Sequence, residues 1–563
     1  MHPIQLNTAL TGNEESWMFV GVPQWKQDQE GILYPPIWSH PRFLPDPKEL
    51  PDYYADDLVR EDQAFLTAQA LSDLDVSMEY KVFYGSVVHG GIIFRAQDSA
   101  SFYVVEIEDI GPHREQAYEL VFWAQDEHGY RKELARGQAP HSIVPQVFYE
   151  KGAKTAQQWR DSSPDWIRIR IQATGTYIRA SVDGNIVFEH RDRTYLSGYV
   201  GLTGRGPFCL RNMEVSGTPA EHASEFRKLT GTIPRCFFPG SGECEGGSSY
   251  PKGFRTGNGS LALAWAHIPM ASKVRHSTQV VFTRSDPQGS TWTPPIVLFE
   301  SGGERCVPTS LFSHLDGSLS CLLYLFPQDG ERPGRTRVVR SENEGKTWGK
   351  SEEFVAGGRS LTGTEMTYST PIRLADGTVV MTGVEYRILP GGDSHTIGGR
   401  VDKALVFHSA DDGHTWDAPT PFNPPVFDST EAVVAEIEPG RLLALMSIKS
   451  SDKKWRTTSA DGGRTWTPLS RTDLSGYCSD LLRHSSGALI LAHRAFGTFI
   501  VISFDDGATW TSPWRLSPVS AMMSMAEMDD GRIGIFFNEG YRVPGRIRAQ
   551  FFRVTPEGPV AAD

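Results

Sequence analysis

The 563-residue chain lacks several features that would assign it to a class at once. It has no apolar run of about 18 residues, so no segment is expected to span a bilayer. Residues 1–20 lack a basic stretch followed by an apolar one, so no signal peptide is visible. This favours the cytoplasm, or a secreted protein if the sequence has been trimmed. The net charge of -13 comes with interspersed signs, which makes nucleic acid a poor partner.

Cysteine is also scarce, with six residues in the whole chain. Their spacing matches neither a metal site nor a disulfide framework, so buried free thiols are the default. Cys236 and Cys244 are close enough in sequence to bridge a loop. No residue set argues for a redox cofactor or a required metal.

What the chain does contain is a repeated phrase, Ser-x-Asp-x-Gly-x-Thr-Trp. It begins at Ser409, Ser459 and Ser503, recurs at Ser341 with Asn343 in place of the aspartate, and has a degenerate copy at Ser285. The phrase predicts a β-turn, because Asp and Ser bond nearby backbone groups, Gly takes a positive φ, and Thr-Trp starts a strand. Several copies at irregular spacing indicate repeated supersecondary units.

A second repeated signal is an apolar strand broken by a tight turn before each phrase. The turns are Asn258-Gly259, Asp316-Gly317, Asp376-Gly377, Pro439-Gly440, Ser486-Gly487 and Asp530-Gly531. Six units of four short strands are therefore expected, an all-β arrangement that hides its edges by closing into a β-propeller. The last unit supplies only three strands, ending with residues 546–554, so we expect residues 232–238 to provide its fourth.

The phrases resemble the Asp boxes, or BNR repeats, of the sialidase (neuraminidase) superfamily, over residues 232–555. The resemblance implies a six-bladed propeller whose boxes lie on the outer rim, away from the pocket. It implies a carbohydrate partner, an oligosaccharide or glycoconjugate.

The N-terminal part shows a different pattern. Residues 1–63 read as an irregular wrapping segment, 64–217 as alternating strands, 218–231 as a linker and 232–563 as the propeller. Strands are expected at 75–83, 90–96, 102–108, 117–124, 166–174, 177–182, 185–190, 198–203 and 213–215, which favours a two-sheet β-sandwich. With its phrase Gly198-Tyr199-Val200-Gly201-Leu202, this domain resembles concanavalin A-like or laminin-G-like jelly rolls. It could bind glycan or only pack against the propeller.

Candidate site residues follow from where six inner strands would converge on the propeller axis. Nine residues before each turn glycine stand Tyr250, Pro308, Tyr368, Glu431, Cys478 and Met522. Adding carboxylates at strand ends, the catalytic candidates are Glu431, Tyr368, Glu365, Glu385 and Glu539. The substrate-binding candidates are Arg305, Arg494, Tyr477, Asp480, His267 and Arg542. Paired carboxylates with arginines and aromatics suit glycoside cleavage, although any single Arg–Glu pair is also an ordinary ion pair.

The resemblance also implies a specific catalytic set, and this sequence departs from it. A sialidase holds its substrate carboxylate with three arginines and uses a Tyr nucleophile assisted by a Glu, with an Asp acid/base. Glu431 matches the supporting Glu and Arg494 a third arginine. The first arginine would precede Tyr250-Pro251, the second falls at Met446 or Ser447, and the nucleophile falls at Met522. No Asp follows the first hairpin, where the chain reads His267-Ile268-Pro269-Met270.

Two hypotheses therefore stand. The first is a glycoside hydrolase acting by another route, or a polysaccharide lyase, with Glu431 and one of Glu365, Glu385 or Glu539 as acid and base. The second is a non-catalytic glycan-binding protein. Acids that are buried and salt-bridged would favour binding, whereas two carboxylates about 5 to 9 Å apart across an open pocket would favour hydrolysis.

Overall fold

The chain folds into two compact units, which we describe separately. The computed structural model describes residues 4–9, 14–20, 26–27, 33–34, 62–82, 89–108, 119–126, 131–139, 166–205, 208–221, 226, 247–268, 277–326, 334–361, 364–366, 369–388, 400–422, 429–448, 453–494, 498–517, 522–539 and 546–562. One unit comprises Met1–Arg235 and Ser512–Pro518, and the other comprises Cys236–Thr511 and Val519–Asp563. Within the described residues, no helix is long and apolar enough to cross a membrane.

The first unit is built from antiparallel strands, with a 3₁₀ helix at Glu14–Ser16. The strands are β1 (Ile4–Gln5), β2 (Trp17–Val20), β3 (Lys26–Gln27), β4 (Leu33–Tyr34), β5 (Asp62–Val82), β6 (His89–Ala96), β7 (Phe102–Glu108), β8 (Glu119–Gln125), β9 (Arg131–Gln138), β10 (Ile167–Thr174), β11 (Tyr177–Val182), β12 (Asn185–Arg191), β13 (Gly198–Arg205), β14 (Phe208–Pro219) and, from late in the chain, β37 (Trp514–Ser517).

The long strand β5 organises this sheet. Its first half pairs with β2 and β13, and its second half pairs with β10 and β14. The strands β6 to β9 continue outward from β13, while β11 and β12 continue from β10. Buried side chains from both branches, including Phe94, Phe122 and Ile171, form a single hydrophobic cluster.

The nine predicted N-terminal strands are found, but β9, β37 and the short strands β1 to β4, which lie in residues expected to be irregular, were missed. The turn at Asp183-Gly184 has both residues at positive φ, as a two-residue hairpin requires. Strand β9 was missed because its sequence, RKELARGQ, is mostly polar and its side chains are mostly half-buried. Strand β5 begins thirteen residues before the predicted Asp75, at Asp62.

A buried ion cluster lies beside β9. The Glu106 carboxylate accepts from Arg131 Nη1 at 2.8 Å through Oε1 and from Arg515 Nη1 at 2.5 Å through Oε2. Arg515 lies on β37, which pairs with β9. All three side chains are nearly inaccessible to solvent, and both oxygens of Glu106 are bonded.

The second unit contains a β-propeller in which five sheets are complete. The first sheet contains β15 (Gly247–Arg255), β16 (Leu261–Ile268), β17 (Gln279–Arg284) and β18 (Ile296–Glu300), and the second contains β19 (Arg305–Ser313), β20 (Leu319–Phe326), β21 (Arg335–Ser341) and β22 (Glu352–Glu353). The third contains β25 (Thr364–Met366), β26 (Ile372–Arg373), β27 (Val379–Ile388), β28 (Arg400–Ser409) and β29 (Thr420–Pro421), and the fourth contains β30 (Ser429–Glu438), β31 (Arg441–Ile448), β32 (Lys453–Ser459) and β33 (Ser470–Ser475). The last contains β38 (Met523–Glu527), β39 (Ile533–Glu539), β40 (Arg546–Thr555) and β41 (Gly558–Ala561).

Two smaller elements complete the unit. A hairpin joins β23 (Val355–Ala356) to β24 (Arg359–Ser360). Between the fourth and last sheets, β34 (Tyr477–Arg483), β35 (Leu489–Arg494) and β36 (Thr498–Ser503) pair antiparallel in that order.

The repeated turns form as predicted. The glycines of all six turn pairs have φ between +74° and +91°. In the boxes the carboxylate or amide oxygen accepts the backbone N–H of the threonine, at 2.8 Å for Asp411, Asp461, Asp505 and Asn343. The box serine accepts from the glycine N–H, for example Ser459 Oγ from Gly463 at 2.8 Å. The box is therefore a self-contained turn.

The core of the propeller lies between neighbouring sheets. Separate hydrophobic clusters join the first and second sheets, the second and third, the third and fourth, and the fourth and β34–β36. A further cluster joins the last sheet to the first through Trp265, Phe536 and Phe551, so the ends of the ring meet.

One prediction about ring closure is wrong. The last sheet takes its fourth strand from its own sequence, because β41 pairs with β40 through a turn at Thr555–Gly558. Residues 232–238, expected to supply that strand, lie outside the described residues. The C-terminal strand was missed because it is short and contains a proline.

Candidate functional site

Four strands of the second unit share a backbone irregularity at positions of the candidate ring. The strand registers shift between Ser249 and Lys252, between Thr430 and Val433, and at matching places in β19 and β34. Such bulges re-aim side chains. At two of them a residue other than glycine has a positive φ, +55° at Tyr250 and +50° at Glu431. Conformations of this kind cost about 1 to 3 kcal/mol each and cluster at functional sites.

Glu431 lies next to two other predicted site residues. Its Oε1 accepts a hydrogen bond from Arg494 Nη2, and the Arg494 guanidinium lies 5.1 Å from the ring centre of Tyr477. The side chains of Glu431 and Arg494 are 12% and 17% exposed. The second carboxylate oxygen, Glu431 Oε2, is buried and has no hydrogen-bond partner among the residues that the structure describes. The site therefore holds a carboxylate with one free acceptor.

The surroundings of Glu431 favour its protonated form. Burial raises the pKa of the Glu431 carboxyl above its ordinary 4.5, although the charges of Arg494, Lys454 and Lys252 oppose the shift. Burial also raises the pKa of Tyr477, and the neighbouring Glu431 charge adds to that effect. A carboxyl with a raised pKa can hold a proton at a pH where an ordinary glutamate has lost it.

Glu431 also interacts electrostatically with a buried lysine, Lys252, which in turn interacts with a buried aspartate, Asp480. Lys252 is 1% exposed, and burial lowers its pKa to about 7 against the opposing charges of Asp480 and Glu431. Burial raises the pKa of Asp480, which accepts from Met525 N at 2.8 Å and from Thr370 N at 3.3 Å. Lys252 lies on β15, Asp480 on β34 and Met525 on β38, and Thr370 follows β25, so these interactions connect four separate parts of the propeller unit. The structure thus places Asp480, a predicted sugar ligand, in an interior network where it is 2% exposed.

A second group lies around Tyr250. Arg305 Nη2 donates to the Tyr250 hydroxyl at 2.9 Å, and its guanidinium lies 4.2 Å from the ring centre of Phe326. Tyr250 packs on a small cluster that includes Met522. His267 is buried, burial lowers its pKa, and its Nδ1 has no hydrogen-bond partner among the described residues.

The remaining predicted residues are not brought into these groups. Glu385 lies on β27 with half of its side chain exposed, 3.9 Å from Lys403 Nζ. Glu365 and Glu539 lie on β25 and β39, but their side chains are outside the described part of the structure, as are Tyr368 and Arg542 entirely.

Sequence reasoning missed two lysines. Lys252 follows Tyr250 by two residues in a strand of small and apolar residues, and that isolated charge was the available signal. Lys454 is 0% exposed and its Nζ lies 3.3 Å from His493 Nδ1. Its neighbour Lys453 is half-buried, and nothing in the pair of lysines distinguishes the buried one.

One cluster has a composition suited to a metal ion. In the part of the chain that the structure describes, His314, Asp412 and His414 offer ligand atoms within 4.8 Å of one another. However, His314 Nδ1 bonds Asp412 O at 2.7 Å and His314 Nε2 bonds Ser320 Oγ at 2.7 Å. The Asp412 carboxylate also forms a salt bridge with Arg373. A metal would have to displace these partners.

Comparison with known proteins gives one family match. Residues 259–535 match the model of the BNR repeat-like domain. No curated protein matches the sequence significantly.

Among solved structures, a protein of unknown function from Dyadobacter fermentans is 18% identical with a TM-score of 0.45, covering 55% of this chain and 94% of that chain. The NanB sialidase of Streptococcus pneumoniae is 12% identical with a TM-score of 0.45, covering 85% and 94%. The leech intramolecular trans-sialidase is 10% identical with a TM-score of 0.40, covering 86% and 94%.

The family match spans all five boxes, and the four at Ser285, Ser341, Ser409 and Ser459 each lie between two paired strands of one propeller sheet. The box at Ser503 follows β36. Residues 259–535 are therefore similar to the BNR repeat-like domain, and they contain most of the propeller strands.

Proposed function

We propose that the propeller axis binds a glycan and cleaves a glycosidic bond, with Glu431 as the residue that protonates the leaving oxygen. The observation that carries this proposal is the state of Glu431. It sits on a strained backbone, is almost buried, has a raised pKa, and has no partner for Oε2 in the described part of the chain. General acids of glycosidases have raised pKa values for the same physical reason.

The neighbours of Glu431 support roles in binding. Arg494 bonds Oε1, so Oε2 is the oxygen proposed to bond a sugar oxygen once a ligand reaches the buried carboxyl group. Tyr477 offers a half-buried aromatic ring, which suits packing against a sugar. Glu365 and Glu539 are proposed as the second carboxylate, and Glu385 is the weaker choice because it is half-exposed and paired with Lys403.

We also infer the wider architecture in which this site works. β34–β36 would form a sixth blade, because Asp480 on β34 bonds Met525 on β38 and β34 shares a hydrophobic cluster with the fourth sheet. A six-bladed BNR propeller fits the sialidase superfamily. The shared hydrophobic cluster of the N-terminal strands supports a two-layer jelly roll there.

A sialidase-type mechanism is not proposed. The positions where the second arginine and the tyrosine nucleophile would fall hold Met446, Ser447 and Met522, and all three are buried. Arg494 is committed to Glu431, and Arg305 to Tyr250 and Phe326. The site is therefore better suited to a sugar recognised through hydroxyl groups than to a carboxylate held by several arginines.

Glycan binding without cleavage is the second candidate function. It is favoured by the ion pair of Glu431 with Arg494 and by the burial of Asp480. A single experiment separates the two functions. The protein is incubated with aryl glycosides and with plant and bacterial polysaccharides, and reducing ends and unsaturated products are measured.

For hydrolysis we expect release of reducing sugar that falls at least 100-fold in Glu431→Gln. The matched control is Glu438→Gln on the same strand, where the exposed carboxylate only pairs with Arg441. Turnover that survives in Glu431→Gln would remove Glu431 from the mechanism. Binding with no turnover on any substrate would support the second function, and an unsaturated product would indicate a lyase.

A further inference from the structure

The arrangement around Glu431 occurs twice in the propeller. In each copy a bulged residue on an inner strand accepts from an arginine of a later sheet, and that arginine lies over an aromatic ring. The first copy is Glu431 with Arg494 and Tyr477. The second is Tyr250 with Arg305 and Phe326.

The two bulged residues are equivalent in the fold. Tyr250 and Glu431 each precede their turn glycine, Gly259 and Gly440, by nine residues. Their φ angles are +55° and +50°, and the strand register shifts at both. A conformation that is unfavourable for both side chains is thus kept at the same position in the first and fourth sheets.

The arginines and rings are also placed alike. Arg305 is the direct partner of Phe326 across β19 and β20, and Arg494 is the direct partner of Tyr477 across β34 and β35. In both copies the arginine and the ring lie on the first two strands after the sheet of the bulged residue. These strands are β19 and β20 after the first sheet, and β34 and β35 after the fourth. The difference is that the arginine lies on the first strand in one copy and on the second strand in the other.

A charged residue close to Tyr250 connects the two copies. Lys252, two residues after Tyr250 on β15, interacts electrostatically with both Glu431 and Asp480. Strand β15 therefore reaches the region occupied by β30 and β34. Tyr250 and Arg305 are each half-buried, so part of each remains accessible.

The chemistry of the copies differs in one respect. Glu431 carries a carboxyl group that can donate a proton, whereas Tyr250 carries a phenolic hydroxyl that accepts from a guanidinium. An aromatic ring, a hydroxyl and a guanidinium together suit contact with a sugar ring and its hydroxyls.

We propose that Tyr250 and Arg305 form a second sugar subsite, which holds a sugar unit that does not react while Glu431 acts on its neighbour. The ligand is then an oligosaccharide of at least two units that spans the axis. This inference rests on the proposed glycan function of Glu431, but it concerns different residues.

Calorimetric titration with sugar ladders tests the inference. The probes are one-, two- and three-unit members of the 1,4-linked glucose, mannose, galactose and xylose series. For a series that binds, we expect the two- or three-unit probe to bind at least tenfold more tightly than the one-unit probe.

Two variants locate the source of that gain. Tyr250→Phe keeps the ring and removes the hydroxyl, and should weaken binding of the longer probe about fivefold with no change for the one-unit probe. Arg305→Met should weaken the longer probe more. Arg335→Met is the control, because Arg335 lies on β21, is 46% exposed and pairs with Glu304. Thermal unfolding of each variant checks that the fold is intact.

The outcomes separate this inference from the proposed function. If the variants weaken all probes equally, or leave the longer probes unchanged while Glu431→Gln still abolishes turnover, the second subsite is wrong and the function stands. If wild type gains nothing from probe length, the subsite is wrong as well. If no probe binds and no glycan is cleaved, both proposals fail together.

Discussion

Two buried glutamates, one in each unit, meet arginines in opposite ways. In the N-terminal unit both oxygens of Glu106 are bonded, one to Arg131 and one to Arg515. In the propeller unit Arg494 bonds one oxygen of Glu431, and the other oxygen is buried without a partner within the described ranges. A buried carboxylate whose two oxygens are both hydrogen-bonded is explained by its contribution to stability. A buried carboxylate oxygen without a hydrogen bond costs stability, so its presence points to a role in binding or catalysis. The comparison distinguishes a structural ion cluster from a candidate site.

The largest expected effect concerns Glu106. We expect Glu106→Ala to lower the free energy of unfolding of the N-terminal unit by about 3 to 5 kcal/mol, because it leaves two buried arginines without their anion. Urea denaturation followed by tryptophan fluorescence measures the change. Glu214→Ala is the control, since this glutamate is 60% exposed and pairs with the exposed Arg168. An effect of Glu106→Ala no larger than that of the control would remove the distinction between the two glutamates.

Glu431 should behave in the opposite way in the same measurement. Its pKa in the folded protein is raised above 4.5, so its favourable contribution to folding is full below pH 4.5 and is lost as the pH rises through the folded pKa. At neutral pH the charged form is therefore disfavoured, and Glu431→Gln supplies a neutral side chain of the same shape. We expect a change in unfolding free energy below about 1 kcal/mol, together with the loss of turnover described above. A large destabilisation would make Glu431 a structural residue like Glu106.

The smallest expected effect concerns the boxes, where the carboxylates are well satisfied but exposed. Burial alone would raise the pKa of Asp461, but hydrogen bonds from Thr465, Ser459 and Arg464 outweigh it and leave the pKa at about 2. The stabilisation from Asp461 is therefore present above pH 3.8 and is lost as the pH falls through about 2.

The box that begins at Ser341 has Asn343 where the box that begins at Ser459 has Asp461, so the two boxes can be compared by exchanging these residues. We expect Asp461→Asn to reduce the loss of propeller stability on acidification, and Asn343→Asp to increase it. The measurement is the urea midpoint as a function of pH. The two variants shifting in the same direction would contradict the assignment of these hydrogen bonds.

How much of this could be read from the sequence depends on how local the signal is. The boxes and turn glycines were predicted because Ser, Asp, Gly and Thr make their bonds within a few residues. Strand β9 was missed because polar residues dominate it. The short C-terminal strand, β41, was missed as well.

The site was partly predictable for the same reason. Glu431 was found because a carboxylate at a counted inner-strand position is unusual, and its nearness to Arg494 and Tyr477 then followed from the propeller. The positive φ of Tyr250 and Glu431 has no sequence signal, since neither residue is a glycine. The burial of Lys252 depends on three separate strands meeting, which no local pattern reports.

The central claim is that Glu431 acts as a proton donor, with a raised pKa and one carboxyl oxygen that is not hydrogen-bonded by the described residues. Infrared difference titration of carboxyl groups, comparing the wild-type protein with Glu431→Gln, tests it most directly. The account predicts a carboxyl band that titrates above pH 4.5 and is absent from the variant. A Glu431 carboxyl that titrates at or below pH 4.5 would contradict it.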